Sequence, residues 1–278
     1  MKLRTIRETV TGRASVDGAG VHLNRVLSRR NAEKFDPFLL LDAFDSTNPE
    51  DYIKGFPMHP HRGIETVTYL IEGEIEHQDS LGNKGVITSG ACQWMTAGSG
   101  ILHQEMPQPS PRMLGLQLWV NLAAKKKMTE PAYRDITPDL VAKVEDDAAA
   151  VAIVAGEYKG NHGGMKGEHL PVTFLDVTVK PGHTWTYATP ADENLFVYIM
   201  QGECSFADSA PSAAKQAVLF TEGDTFRAYS EKGARFILVH GQPLNEPIAW
   251  GGPIVMNMDE ELKLAFDELD RGTFIKNR

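Results

Sequence analysis

Two short runs hold the residues best suited to chemistry: F-P-M-His59-P-His61-R-G at 56–63 and G-I-L-His103-Q-Glu105-M at 100–106. Each places its candidate ligands at i and i+2. In an extended strand successive side chains point to opposite faces, so His59 and His61 share one face, as do His103 and Glu105. Two such strands facing one another converge three imidazoles and one carboxylate on a point, which predicts a mononuclear metal centre held by His59, His61, His103 and Glu105. With nine histidines in the chain, a lone H-x-H is ordinarily a surface strand. The second pair, following the turn-rich T-A-G-S-G at 96–100, makes the metal reading outweigh that plainer one.

Three neutral imidazoles and one carboxylate suit a first-row divalent ion, Fe(II), Mn, Ni, Cu or Zn, and disfavour Ca and Mg, which demand mostly oxygen. Ligand identity does not choose among them. An octahedral ion with four protein ligands keeps about two positions for water, substrate or dioxygen. A closed structural site is more often tetrahedral and rich in thiolate, so the centre reads as open.

The elements that must position these residues are strands. Runs rich in Val, Ile, Thr, Phe and Tyr, such as Glu65–Ile71, Gly115–Asn121, Val172–Val179, Leu195–Met200 and Arg235–His240, are punctuated by Gly and Pro at short intervals. This pattern predicts an all-β sandwich or barrel. One segment departs from it: in D-E-E-L-K-L-A-F-D-E-L-D-R-G at 259–272, Leu262, Phe266 and Leu269 fall at i, i+4 and i+7, predicting a short C-terminal helix closed by Gly272.

An internal echo divides the chain. Y-L-I-E-G-E at 69–74 lines up with Y-I-M-Q-G-E at 198–203, an offset of 129, and S-G-A-C-Q-W-M-T-A-G-S-G at 89–100 with E-G-D-T-F-R-A-Y-S-E-K-G at 222–233, an offset of 133. Two copies of one β-unit follow, with I-T-P-D-L at 136–140 and E-D-D-A-A-A at 145–150 carrying the crossing: residues 1–140 form a metal-binding domain and 141–278 a degenerate copy with the helix. These offsets carry the ligand positions onto Ala188, Pro190, Phe236 and Leu238, none of which can ligate. His183, with no partner at i+2, reads as a surface or structural histidine. One metal per chain is expected, in the N-terminal half.

At 278 residues, 42% hydrophobic and 23% charged, the composition is that of a soluble globular protein able to bury a core without staples. No stretch approaches the roughly 20 apolar residues of a membrane span, and the start lacks the apolar run of a signal peptide; a cytoplasmic location is expected. Cys92 and Cys204 read as reduced, buried, small apolar residues. A net charge of −9 argues against direct nucleic-acid binding, and Lys125-Lys126-Lys127 reads as a solvated turn.

Four blocks carry a family resemblance: F-D-P-F-L-L-L-D at 35–42, F-P-M-H-P-H-R-G-I-E-T-V-T-Y at 56–69, Q-W-M-T-A-G-S-G-I-L-H-Q-E at 93–105 and E-P-I-A-W-G-G-P-I-V-M-N at 246–257. The chain resembles the cupin superfamily and, within it, the pirin family. The resemblance implies two cupin barrels with a metal, usually iron, in the first only. The general cupin pattern takes its glutamate from the first motif, here Glu65, four residues past His61 and taken to share its strand face. Pirins take it from the second, matching Glu105, which leaves Glu65 a supporting role such as fixing a ligand imidazole's tautomer.

The resemblance also implies an activity, quercetin 2,3-dioxygenase, in which O2 opens the central ring of a flavonol and carbon monoxide leaves. Glu105 would then take the proton of the flavonol 3-hydroxyl. A flat, largely carbon substrate calls for an apolar, aromatic wall; Phe56, Met58, Trp94, Met95 and Met106 adjoin the ligands, though core packing is the plainer role for each, and Phe38 and Phe44 are left uncommitted. Arg62 reads as a salt-bridged surface residue rather than one that steers an anion. The alternative implied by the resemblance is a non-enzymatic metal protein that regulates transcription or a partner enzyme through a protein partner. Two barrels covering one another's faces permit a monomer.

Overall fold

The computed structural model describes residues 1–276. Strands form where apolar β-branched and aromatic residues recur, as expected, and among the described residues the one α-helix is Asp259–Asp270. The fold is all-β, built as two cupin-type units. The expected strand Val172–Val179 is observed with those limits, while Leu195–Met200 extends to Asn194–Phe206 and Glu65–Ile71 to Ile64–Glu72.

The unit that holds both histidine motifs comprises Ala14–Glu33, Phe38–Pro138 and the chain from Leu244 onward. Its seven-stranded antiparallel sheet runs, in spatial order, Ala132–Ile136, Cys92–Thr96, Ile64–Glu72, Met113–Asn121, Phe38–Ser46, Val21–Leu27, Arg13–Asp17. A four-stranded sheet runs Phe56–His61, Ile101–Pro107, Glu74–Asp79, Lys84–Thr88. Leu23, Phe44, Leu70, Ile75, Ile87 and Met113 make one buried cluster of the unit, and Ile64, Met95, Ile101 and Trp119 belong to another. Trp94 and Met95 are core residues, as the plainer reading held, and Phe38 and Phe44, left uncommitted, are buried too; Met58 is 47% exposed.

The other unit comprises Met1–Arg13, Lys34–Pro37 and Asp139–Pro243. Its ten-stranded sheet includes Ile6–Thr11, which pairs antiparallel with Gln216–Phe220. Against the expected halves of 1–140 and 141–278, both chain ends lie in the opposite unit. Ile6–Thr11 supplies backbone partners to a strand whose hydrogen-bonding edge would otherwise stand open. The C-terminal helix packs in the first-barrel unit, where Ile254, Met256, Ala265 and Phe274 form a buried cluster joined by Leu262 and Leu269. Phe266, placed on the helix's apolar stripe by its spacing, stays 39% exposed because the stripe's buried centre is Ala265. Glu261 Oε2 accepts from the amides of Asn257 and Met258 at the helix start, satisfying donors the helix cannot.

Strand pairing corrects the register of the internal repeat. In the first-barrel unit Ile64–Glu72 lies between Cys92–Thr96 and Met113–Asn121; in the second, Asn194–Phe206 lies between Gln216–Phe220 and Ala234–Gly241. The counterpart of Ile101–Pro107 is thus Thr225–Ser230, which pairs with His183–Ala188 as Ile101–Pro107 pairs with Phe56–His61. The offset of 133 is one strand out of register. His59 stands opposite His103 and His61 opposite Ile101, whereas Trp185 stands opposite Ala228 and Tyr187 opposite Phe226. The residues at the ligand positions are therefore Trp185, Tyr187 and Ala228 instead of Ala188, Pro190 and Phe236. They remain non-ligating: Trp185 stacks on Tyr187 with ring centroids 5.5 Å apart and packs among Phe226 and Phe236.

Cys92 and Cys204 are free and buried, as expected, and burial pushes the Cys204 thiol up to about 12. His183 is exposed. Lys127, however, is not part of a solvated turn: it is 1% exposed, and its ammonium donates to Gly63 O, Asn121 Oδ1 and Val255 O at 2.9, 2.7 and 3.0 Å. Three acceptors match the three protons of an ammonium, while burial lowers the Lys127 pKa to about 7. No helix among the described residues is long and apolar enough to cross a membrane.

Candidate metal centre

The two histidine motifs occupy neighbouring strands of the four-stranded sheet and pair side by side; they do not face one another from opposed sheets. His103 lies directly across the ladder from His59, and His61 follows His59 at i+2, so all three project from one face. One ligating atom from each lies within 4.8 Å of the others. The ring centroids of His59 and His103 are 4.3 Å apart, and those of His61 and His103 are 5.0 Å apart.

The nitrogens are disposed for a cation. His59 Nδ1 lies 2.9 Å from Pro57 O and His61 Nδ1 3.0 Å from Pro253 O. A carbonyl only accepts, so both rings donate from Nδ1, which in the neutral ring leaves the lone pair on Nε2. His61 Nε2 and both ring nitrogens of His103 are buried without a hydrogen-bond partner. Buried polar atoms are rarely left so, and a metal ion bound at their convergence would give these nitrogens a partner. Burial, then the neighbouring His59, lowers the His61 pKa to about 3. Burial followed by the surrounding imidazoles holds His103 well below its ordinary value. Both rings are thus neutral, the form that ligates. The set fits a first-row transition metal.

Glu105 shares the strand face of His103 and is buried, but its carboxylate is not among the donors gathered within 4.8 Å of one another. Its two oxygens accept from Thr68 Oγ1 at 2.9 Å and Gln117 Nε2 at 2.7 Å. Thr68 and Gln117 are themselves cross-strand neighbours on the seven-stranded sheet. The ladder shifts register between His103 and Glu105, which faces Phe56 where regular pairing would give Pro57; the extra residue is on the Phe56–His61 strand. Glu65 lies on a different strand from His61, beyond the turn at Arg62 and Gly63, so the supposed common face with His61 does not exist. It is an odd number of residues from Thr68 and points to the other side of its strand, where it accepts from Trp94 Nε1 at 3.0 Å and Thr96 Oγ1 at 2.7 Å.

A pocket of about 670 Å³ opens on His59 and His61, walled by Phe56, Trp119 and Trp250 with Gln117 beside them. Trp119 packs edge-on against His61 at 5.0 Å and lies 5.8 Å from Trp250. Arg25 makes a two-pronged pair with Asp42 at 2.9 and 2.7 Å and also reaches Asp17 at 2.6 Å, giving the pocket an ion-paired side. The indole of Trp119 donates to Gln117 Oε1 at 3.2 Å, so a hydrogen-bonded chain runs from the pocket wall through Gln117 to Glu105.

Sequence reasoning missed Gln117, Trp119, Trp250 and Pro253, which sit on other elements, and also His77 and Asp79. The last two are legible in retrospect: H-Q-D at 77–79 is a third i, i+2 polar pair on a strand. Asp79 stands opposite His103 and His77 opposite Glu105. His77 is buried, with Nε2 3.4 Å from Asp79 Oδ2 and its ring 5.4 Å from that of His103. Arg62 is salt-bridged, as expected, to Glu268 at 2.8 Å, but it is not at the surface: it is 2% exposed.

The sequence matches the family profile described as Pirin over residues 20–120 and that of the Pirin C-terminal cupin domain over 174–275. It is 40% identical to a pirin-like protein of Caulobacter vibrioides over 99% of this chain and 100% of that one. A pirin-like protein of Solanum lycopersicum is 40% identical, with 97% and 92% covered. Among solved structures, a quercetin 2,3-dioxygenase from Acinetobacter baumannii superposes with a TM-score of 0.89 at 31% identity, covering 98% of each chain. Sequence, fold and the three-imidazole cluster agree, and the chain belongs to the pirin family.

Proposed function

We propose that this chain is a metal-dependent dioxygenase, with Fe(II) as the working ion, that opens the central ring of a flavonol such as quercetin. The observation that carries the reading is the convergence of three imidazoles at a pocket walled by Phe56, Trp119 and Trp250. The likeness to the Acinetobacter baumannii quercetin 2,3-dioxygenase supports the substrate class. When bound, the metal supplies the Lewis acidity that favours an enolate over its enol and the coupling to dioxygen.

The protein's residues do the rest. The indoles of Trp119 and Trp250 and the ring of Phe56 offer flat apolar surface to an aromatic substrate and keep water from it. Glu105 serves as fourth donor to the ion and as acceptor of the 3-hydroxyl proton, its carboxylate aimed by Thr68 and Gln117. His59 and His61 hold their Nε2 lone pairs inward because their Nδ1 protons are engaged by carbonyls.

The test is direct: protein loaded anaerobically with iron is mixed with quercetin and air. Loss of flavonol absorbance with carbon monoxide release, at one metal per chain and abolished by His61→Ala and by Glu105→Ala, supports the proposal. Turnover that survives those substitutions would be free-metal chemistry. Unit metal occupancy with no flavonol turnover would favour the non-enzymatic regulatory role.

A further inference from the structure

The residues from Leu244 onward return to the metal-binding unit, and one backbone atom of that return touches a ligand. Pro253 O lies 3.0 Å from His61 Nδ1, across 192 positions of sequence. His59 draws the equivalent contact from Pro57, two residues away on its own strand. Of the histidines in the cluster, His61 is the one whose proton is placed by a distant segment.

That segment is pinned on both sides of the contact. The Val255 amide donates to Arg62 O at 3.1 Å, and Lys127 Nζ binds Val255 O and Gly63 O together. Gly63 has φ +77°, and a Cβ there would stand 1.9 Å from Val255 O, so the segment approaches only because this residue is glycine. Farther along, the Arg62 guanidinium donates to Ser99 O and Phe274 O at 2.8 Å each, pairs with Glu268 at 2.8 Å, and lies 4.1 Å from the centre of the Phe274 ring. The residue following a ligand thereby grips the helix and its tail. Trp250, on the same return, forms pocket wall.

We propose that this C-terminal return is a positioning element of the metal centre: the Pro253 carbonyl fixes His61 as the Nδ1–H tautomer, and Gly63, Lys127, Arg62 and Glu268 hold that carbonyl in place. The inference rests on the metal-centre reading for its consequence but not for its geometry. A ligand imidazole whose far nitrogen loses its acceptor samples the wrong tautomer and other ring orientations, so it binds metal more weakly.

The experiment uses the full chain. Long-range proton–nitrogen spectra of the metal-free protein, with His61 assigned by comparison with His61→Gln, report its tautomer; chelator competition reports metal affinity. The native chain should show His61 protonated at Nδ1. Gly63→Ala, which displaces Val255, and the double variant Lys127→Met with Glu268→Gln, which loosens the return without touching the ligand strand, should both show a mixed tautomer and about 10-fold weaker metal binding. Should Gly63→Ala fail to fold, the double variant and the native spectrum still decide. An Nε2–H tautomer in the native chain overturns the proposal. So does a variant that keeps native tautomer and affinity, or one that loses affinity with the tautomer unchanged. A native chain that binds no metal sinks the metal centre, while the tautomer stands or falls on its own.

Discussion

His61 and His103 are neutral in the fold because burial removes the water an imidazolium needs. In the unfolded chain each would take up a proton near pH ~6.5. Between that value and the His61 value of about 3, the metal-free unfolded state binds more protons than the folded one. The sign follows: their contribution to stability is full above ~6.5 and is lost as pH falls through the window. Urea midpoints of metal-free protein should drop from about pH 7 to about pH 5, and drop less in His61→Gln; a midpoint flat over that range in the native chain would contradict the account. At the same scale, Gln117→Leu removes the amide donor to Glu105 Oε2 while leaving the imidazoles alone. The expected result is one metal per chain retained, with flavonol turnover reduced about 10- to 100-fold. Loss of the metal itself would show that Gln117 acts elsewhere.

At the level of elements, the site joins two sheets. The four-stranded sheet presents the histidines and Glu105 on one face, and the paired Thr68 and Gln117 of the seven-stranded sheet reach the same carboxylate. Alternation along single strands was readable in advance, so His59, His61, His103 and Glu105 could be placed by face from their spacing. Which strands would be neighbours was not, and the side-by-side pairing, the irregular register before Glu105 and the opposite face of Glu65 all follow from it. Lys127 is the clearest element-scale anchor, binding the turn at Gly63, the strand residue Asn121 and the returning strand at Val255. Lys127→Met strands three buried acceptors and should lower unfolding free energy by about 2–4 kcal/mol; a denaturant midpoint indistinguishable from native would refute that role.

Across the whole molecule the chain builds one barrel unit around imidazoles and the other around rings. Trp185, Tyr187 and Ala228 take the places of His59, His61 and His103, and Trp185 is 2% exposed. Trp185→Ala should open a cavity and destabilise that unit by about 3–5 kcal/mol, with metal stoichiometry unchanged at one; a calorimetric trace matching native would mean the cluster does not hold the unit together. By itself the sequence determined the candidate ligand types, their common face, the strand-rich fold, the repeat and the absence of those residue types from its second copy, because alternation and residue chemistry are properties of adjacent residues. Tertiary structure alone decided the register of that second copy, the exchange of the chain ends between units, and the partners that aim the site: Gln117 for Glu105, Pro253 for His61, Trp250 for the pocket wall. Those contacts are set by which buried backbone and side-chain groups find one another across long stretches of chain, and no local spacing encodes them.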